Sequence, residues 1–372
     1  MEKLFNQVYK GKKVLITGHT GFKGSWITLW LKLLGAEVIG YSLPPPTKPS
    51  LFETFNLEKE IKHVIGDIRD EDKLLKTFKT YKPDIVIHMA AQPLVRYSYL
   101  NPKETYETNV IGTLNLFECV RKTESIRVVI NVTSDKCYEN KEWVYGYKED
   151  DPMGGYDPYS SSKGCAEILT TAYKNSFFNP KDYGKAHNIS LVSVRAGNVI
   201  GGGDWAEDRL IPDCIRFLVK GKTIIIRNPK AIRPWQYVLE PLSGYLWLGA
   251  MVWQSPTEYT GAWNFGPNDE DILTVEELVN QVLELWGKGS YDVKSSGGLH
   301  EAKLLKLDIS KARFFLKWKP TYNIKNAIEE TISWYKTFYL QKEKDILHFS
   351  INQIQNYVNA AKLKDIQWAK ED

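Results

Sequence analysis

The sequence has little of what would place a chain in a membrane, in an oxidising compartment or around a metal ion. Its 372 residues include four cysteines, at 119, 137, 165 and 214, and none stands at the short spacings that metal ligands need. Cys119 and Cys165 fall in stretches of amphipathic helical period, where a cysteine is a small buried apolar group, and no metal is expected. No apolar run reaches the roughly 18 residues of a membrane span, and no charged-then-apolar leader is present. Free thiols without an export signal predict a cytoplasmic protein with no membrane partner. Charge of one sign is lacking too: Lys and Arg total 49 against 45 Asp and Glu, a net of +4. Such a balance gives a mixed surface, and the absence of a basic block speaks against nucleic acid as a partner. There is no internal repeat, and "LPPPTKP" is the one low-complexity tract.

Hydrophobic residues make up 43% of the chain and aromatic residues 13%, enough for a large core, and the length favours two lobes over one. Near the start, "KKVLITGHTGFKGSWITLWLKLLGAEVIGY" reads as a strand (Val14 to Thr17), a turn with Gly18, Gly21 and Gly24, a helix rich in Leu and Trp, and a second strand from Glu37 to Tyr41. Gly18 permits the tight turn, Gly21 lets the backbone approach a pyrophosphate, and Gly24 lets the helix pack closely on the strand. The first amides of that helix then face the phosphates. Further apolar runs in "HVIGDIRD", "PDIVIHMAAQP" and "IRVVINVTSDKCY" alternate with amphipathic helical stretches, notably Lys103 to Arg121. This alternation predicts an α/β fold of Rossmann type with a doubly wound parallel sheet. Ligands then bind at the carboxyl ends of the strands, where Asp67, Ala90, Ala91, Gln92 and Thr133 to Lys136 fall.

A helix that includes "DPYSSSKG" puts Tyr159 and Lys163, four residues apart, on one face. The Lys163 ammonium is expected to stabilise the Tyr159 phenolate and draw its pKa from about 10 toward neutrality, which makes a general base for a sugar or alcohol hydroxyl. Cofactor identity is less legible. An acidic residue at the end of the second strand takes the ribose of NAD and an Arg takes the phosphate of NADP, but Ser42 stands there, close to three prolines, and gives neither signal. Lys23, inside the glycine loop, suits a phosphate or is a solvated surface lysine.

In their order, "TGHTGFKG", "GDIRD", "HMAAQ", "TNVIGT", "TSDK" and "YSSSK" resemble the extended short-chain dehydrogenase/reductase superfamily, and within it the nucleotide-sugar enzymes. More narrowly, "GHTGFKGSW", "SDKCYENKEWVYGY", "DPMGGYDPYSSSKGCAE", "RAGNVIGGGDWAEDRLIPD", "RPWQYVLEPLSGYL" and "HEAKLLKLDISKA" are similar to CDP-glucose 4,6-dehydratases. The resemblance implies NAD as a retained cofactor, held by Gly18, Thr20, Gly21, Phe22, Lys23 and Gly24, by Asp67 and Ile68 beside the adenine, and by Ala90, Ala91, Gln92, Asn109, Tyr159 and Lys163. Asp67 is expected to accept from the adenine amino group.

The same resemblance implies CDP-glucose as substrate, in deoxysugar synthesis such as that of O-antigen. Asn198 and Arg233 would hold its phosphates, with Arg209 and His300 as further phosphate contacts or lobe-packing residues. Ser134 would orient the C4 hydroxyl, and Asp135 and Lys136 would be the acid for C6 and the base for C5 that a dehydratase needs in addition. Better-known sugar-nucleotide dehydratases carry Glu where this chain has Lys136, so its pKa must fall from about 10.4 for it to act as a base. Two alternatives stay open. An epimerase or reductase of another nucleotide sugar has no need of Asp135 and Lys136, and a non-catalytic dinucleotide sensor has no need of Tyr159 and Lys163.

Residues 11–195 are expected to form the nucleotide domain, with 237–262 returning to it. Residues 196–236 and 263–340 would make a smaller, interleaved C-terminal substrate-binding lobe, and 341–372 a tail helix that packs on the chain or faces a partner. Helices near 103–121 and 159–178 match those of a four-helix dimer interface in the superfamily, so a homodimer or homotetramer is expected.

Overall fold

The computed structural model describes residues 1–294, 304–341 and 345–371. Seven short runs of mostly apolar residues become strands: β1 (Lys13–Thr17), β2 (Glu37–Ser42), β3 (Lys62–Ile65), β4 (Ile85–His88), β5 (Val128–Val132), β6 (Ser190–Ala196) and β7 (Gly261–Phe265). They form one sheet in the order β7-β6-β5-β4-β1-β2-β3, and every neighbouring pair is parallel. Strands β5 and β6 are buried along their whole length; β5 reads as a mostly apolar run for that reason, whereas β6 carries Ser193 and Arg195, whose buried polar groups bond to Glu167. Strand order reverses between β1 and β4, the point where open parallel sheets of this kind leave a crevice at their carboxyl ends.

Besides short helices at Leu51–Thr54, Val95–Leu100 and Ser310–Phe315, the helices of the described residues are α1 (Phe22–Leu33), α2 (Glu71–Tyr81), α3 (Pro102–Tyr106), α4 (Gly112–Arg121), α5 (Pro158–Ser176), α6 (Leu210–Val219), α7 (Leu239–Gln254), α8 (Val275–Trp286), α9 (Ile324–Leu340) and α10 (Ile346–Leu363). Half of the helices α1 to α10 start where the chain supplies a side-chain acceptor. Asp70 caps α2 and Asp157 caps α5, each accepting the amide three residues on, and Thr274 with Glu277 makes a reciprocal capping box on α8. In α7 nearly every residue from Leu239 to Val252 is buried, because the helix lies against β5, β6 and α1 rather than at the surface.

The single helix expected from Lys103 to Arg121 is interrupted. A π-helical turn at Glu107–Ile111 separates α3 from α4, and the residue it turns inward is Asn109. Single π turns of this kind re-aim a side chain. Here Asn109 accepts the Gln92 amide at 2.8 Å and donates to the Gln92 carbonyl at 3.0 Å and to Ser162 on α5 at 2.9 Å.

Between β6 and residue 294 lie three small strand pairs: Val199–Ile200 with Gln236–Tyr237, Ile232–Arg233 with Leu273–Thr274, and Ile224–Ile226 with Tyr291–Val293. The end of the chain is packed inward. Helix α10 buries Ile354, Tyr357, Val358 and Ala361, and Trp368 stacks on Tyr357 and on Phe5, with ring centroids 5.7 and 5.1 Å apart. Glu240 on α7 joins these parts, accepting the Thr321 and Tyr322 amides at 2.9 and 2.7 Å and the Tyr357 hydroxyl at 2.9 Å. Among the described residues no helix is long and apolar enough to cross a membrane.

Candidate active site

The crevice begins where β1 ends. Gly18 has φ +75°, a conformation costly for any residue with a Cβ, and an added Cβ would lie 2.8 Å from the Ala90 nitrogen. The loop therefore touches the segment after β4, and Thr17 fixes the contact by accepting the Met89 and Ala90 amides at 3.1 and 3.2 Å. A Cβ on Gly24 would stand 2.1 Å from the Gly18 carbonyl oxygen, so only glycine lets the first turn of α1 rest on the loop. Gly21 differs: a Cβ there would meet nothing nearer than the Gly18 carbonyl oxygen, at 3.5 Å. It is the N-cap of α1, and no side chain caps that end. The free amides of Phe22 and Lys23, with an open approach at Gly21, fit the pyrophosphate of a dinucleotide.

On the adenosine side the fit is altered in detail. Thr20 is bonded to the Ser42 hydroxyl at 2.8 Å and to the Leu43 carbonyl at 3.0 Å, which ties the glycine loop to the end of β2. Asp67 is already engaged: Arg69 donates its amide (2.9 Å), Nε (3.0 and 3.1 Å) and Nη2 (2.6 Å) to the two carboxylate oxygens. These bonds hold the carboxyl below its ordinary value despite partial burial. An adenine amino group would have to share acceptors with that guanidinium. Ile68 is buried against Gly112, where a Cβ would approach it to 2.5 Å. Ala90, Ala91 and Gln92 line the crevice edge after β4, and Asn109 stands behind Gln92 as its support.

Across the crevice, Asp157 and Pro158 start α5 so that Tyr159 and Lys163 are buried one turn apart. The turn after β5 places Ser134, Asp135 and Lys136 opposite. Ser134 accepts the Lys136 amide at 3.2 Å and donates to Asp135 Oδ1 at 3.0 Å. Gly197, after β6, was not singled out from the sequence, yet a Cβ there would sit 2.3 Å from Asp135 Oδ2. The strand end is bare because the carboxyl group fills the space.

Burial dominates the electrostatics. It pushes the Asp135 carboxyl up, against the charges of Lys136 and Arg233 and the Ser134 hydrogen bond. Burial pushes the Lys163 ammonium down to about 8, with the Glu167 carboxylate opposing. Lys23 is partly buried, and burial with the charges of Lys163 and Arg209 pushes it down to about 8, with Asp135 opposing. The expectation of a resting phenolate is corrected by the same force. Burial pushes the Tyr159 phenol up to about 12, and the Ser134 hydroxyl and the Arg209 charge offset only part of that rise. The pairing with Lys163 described a surface helix, whereas this helix face is in the interior.

Of the residues expected at the phosphates, Arg209 is the N-cap of α6, bonded to Asp204 at 2.9 Å and close enough to Tyr159 for their charges to interact. Arg233 donates to the Ile232 carbonyl at 2.9 Å, and its charge reaches Asp135. The Asn198 carbonyl accepts the Gln236 amide at 3.0 Å, which holds the chain just beyond β6. His300 lies outside the described residues. Glu167 was also passed over, although the four-residue spacing from Tyr159 to Lys163 points to it. Among the described residues no group of three His, Cys, Asp or Glu side chains is placed to hold a metal ion.

The family described as GDP-mannose 4,6 dehydratase matches residues 15–331. CDP-glucose 4,6-dehydratase of Salmonella typhimurium (strain LT2) is 52% identical over 353 residues, covering 95% of this chain and 98% of that protein. Two solved structures share the fold. The dTDP-glucose 4,6-dehydratase of Bacillus anthracis, in complex with NAD, superposes with a TM-score of 0.72 at 21% identity, over 91% of this chain and 100% of that one. The UDP-glucose 4-epimerase of Thermotoga maritima, with UDP-glucose, gives 0.73 at 22% identity, over 89% and 99%. A dehydratase and an epimerase fit equally well, so the fold leaves the reaction to the site.

The two glycines make separable predictions. Gly24→Ala should cost about 1–3 kcal/mol of stability, because backbone must move to admit the methyl group. Gly21→Ala should cost less than about 1 kcal/mol, the difference between Gly and Ala as an N-cap, yet weaken dinucleotide binding on the order of tenfold. Melting curves without ligand, paired with NAD titrations, check both; equal loss of stability in the two variants would contradict the open approach at Gly21.

Proposed function

This chain belongs to the GDP-mannose 4,6 dehydratase family, and on that premise we propose that it is a hydro-lyase that converts CDP-glucose to CDP-4-dehydro-6-deoxyglucose with NAD as cofactor. The observation that carries this reading is the buried Asp135, raised in proton affinity and set beside Lys136 in the same centre as Tyr159. Oxidation at C4 alone needs a base and a hydroxyl residue to orient the sugar. Loss of water across C5 and C6 needs an acid as well.

NAD supplies the electron sink for C4 and the return of those electrons at C6, and its oxidised ring brings a positive charge into the crevice. Tyr159 takes the proton of the C4 hydroxyl, which Ser134 orients, and the Lys163 ammonium offsets the charge that the phenol acquires. A ketone at C4 acidifies the C5 proton, Lys136 removes it, and once water has left and C6 is reduced a solvent-derived proton is returned to C5. Asp135, whose proton affinity burial raises, gives its proton to the C6 oxygen, which leaves as water. Substrate and product differ by one water molecule with no net oxidation.

Arg209, Arg233 and Asn198 hold the pyrophosphate in this reading, since a guanidinium fork suits two phosphate oxygens. In this reading 196–236 and 263–340 make up the substrate lobe, 237–262 returns to the nucleotide domain, and the tail closes over α7. The protein works in the cytoplasm, in keeping with its unpaired cysteines. A homodimer is supported by exposed apolar side chains on the outer helices and beside them, Leu100 at 81%, Ile111 at 47%, Ile168 at 60% and Phe177 at 42%. Sedimentation at micromolar protein should give a species of at least twice the 42.8 kDa chain mass, and a species of chain mass alone would refute it.

Incubation with a panel of sugar nucleotides should yield the alkali-induced absorbance of a 4-keto product from CDP-glucose above all. Asp135→Asn should still oxidise C4 but stall before water leaves, with reduced cofactor accumulating on the protein. Lys136→Met should oxidise C4 yet fail to exchange solvent deuterium into C5. Both variants should lose on the order of a hundredfold or more in product formation. Parental deuterium exchange in Lys136→Met would move the base elsewhere, and no reduced cofactor in Asp135→Asn would make Asp135 a binding residue.

A further inference from the structure

Tyr159, Lys163 and Glu167 stand four residues apart on α5, so one face of the helix presents a phenol, an ammonium and a carboxylate in turn. The first two belong to the chemistry proposed above; Glu167 does not touch it. It is 2% exposed, and a carboxylate so deep persists only when its oxygens are met by donors. The donors come from two strands. Arg195 Nη2 and Ser193 Oγ of β6 each reach Oε2 at 2.7 Å, and the hydroxyl of Thr133, just past β5, closes on Oε1. Arg195 also donates to the Tyr138 hydroxyl at 2.7 Å and the Glu149 carbonyl at 2.9 Å, and Tyr138 donates to Asn264 of β7 at 2.8 Å. Thr133 is the residue before Ser134, whose side chain in turn sets Asp135 and the Lys136 amide.

We propose that Glu167 is a positioning residue, which rests on the reading above: its carboxylate clamps the end of β5 that carries Ser134, Asp135 and Lys136 to the helix face that carries Tyr159 and Lys163. Oxidation and elimination act on adjacent carbons of one sugar, so the two groups of side chains must keep a fixed separation, and a shift of about 1 Å is enough to slow turnover strongly. The same carboxylate is the leading charge that opposes the burial of Lys163. Other titratable groups face that ammonium: Tyr159 on its own helix, Cys137 after β5, His88 at the end of β4 and Lys23 on α1. Burial holds Cys137 and His88 neutral, and Lys23 adds a like charge. Without Glu167 the ammonium would therefore lose its proton at a lower pH.

The test compares the full-length parent with Glu167→Gln and Thr133→Val. The pH dependence of acetic-anhydride labelling at Lys163, read by peptide mass spectrometry on the free protein, gives its proton affinity without any turnover. Glu167→Gln should move that midpoint about one pH unit down, and the alkaline limb of kcat should move with it. Thr133→Val keeps the charge and cuts the tie to β5, so the labelling midpoint should stay while kcat falls about tenfold at unchanged KM. An unmoved midpoint in Glu167→Gln, or parental kcat in Thr133→Val, would overturn the proposal. If Glu167→Gln does not fold, Thr133→Val still decides the clamp. A parent inactive on CDP-glucose would sink the proposed reaction but leave the labelling result standing.

Discussion

Taking charge out of water is costly unless an opposite charge or a donor meets it, and the crevice where β1 and β5 end and α5 begins holds Asp135, Tyr159 and Lys163 where little water reaches. The shifts of these three groups follow from that constraint. An acid there holds its proton more tightly, an ammonium releases its proton more readily, and a phenol resists ionisation. These are the tendencies a dehydration needs from Asp135. For Tyr159 they run the opposite way, so its activation depends on positive charge brought close to it rather than on its own resting state.

Geometry makes this burial possible. A parallel sheet aligns the carboxyl ends of its strands, and glycine at 18, 24 and 197 lets backbone and carboxyl groups approach where a methyl group would not fit. Polar side chains then serve as braces. Thr17 fixes the segment after β4, Thr20 fixes the end of β2, and Asn109, turned inward by the π-helical turn, fixes Gln92 and α5 together. None of these residues needs to react. Each removes freedom from the frame around the residues that do, which is how a site on strand ends attains its precision.

Much of this was legible in the sequence because strands buried on both faces read as apolar runs and because the glycine loop has a fixed relation to strand and helix. Five of the seven strands read as apolar runs in the sequence, whereas β6, with Ser190, Ser193 and Arg195, and β7 do not. What the sequence concealed has physical causes. A π turn inserts one residue and leaves the helical period on either side intact, so 103–121 looked continuous. The bond from Arg69 back to Asp67 spans two residues in a loop, where no periodicity marks it. Rules for side-chain pairs on a helix assume solvent, and the inward face of α5 violates that assumption for Tyr159 and Lys163. Strands of two or three residues, such as Ile232–Arg233, are too short to carry a pattern, so the residues near the phosphates came from resemblance rather than from period.

The central claim is that one buried centre both oxidises C4 and eliminates water across C5 and C6, on one sugar and without release of the cofactor. Turnover of CDP-glucose deuterated at C4, followed by NMR of the product, tests it most directly. The account predicts deuterium at C6 of the product, a solvent-derived proton at C5, and no label in the medium. Deuterium retained at C4, or lost to solvent or to free cofactor, would contradict it.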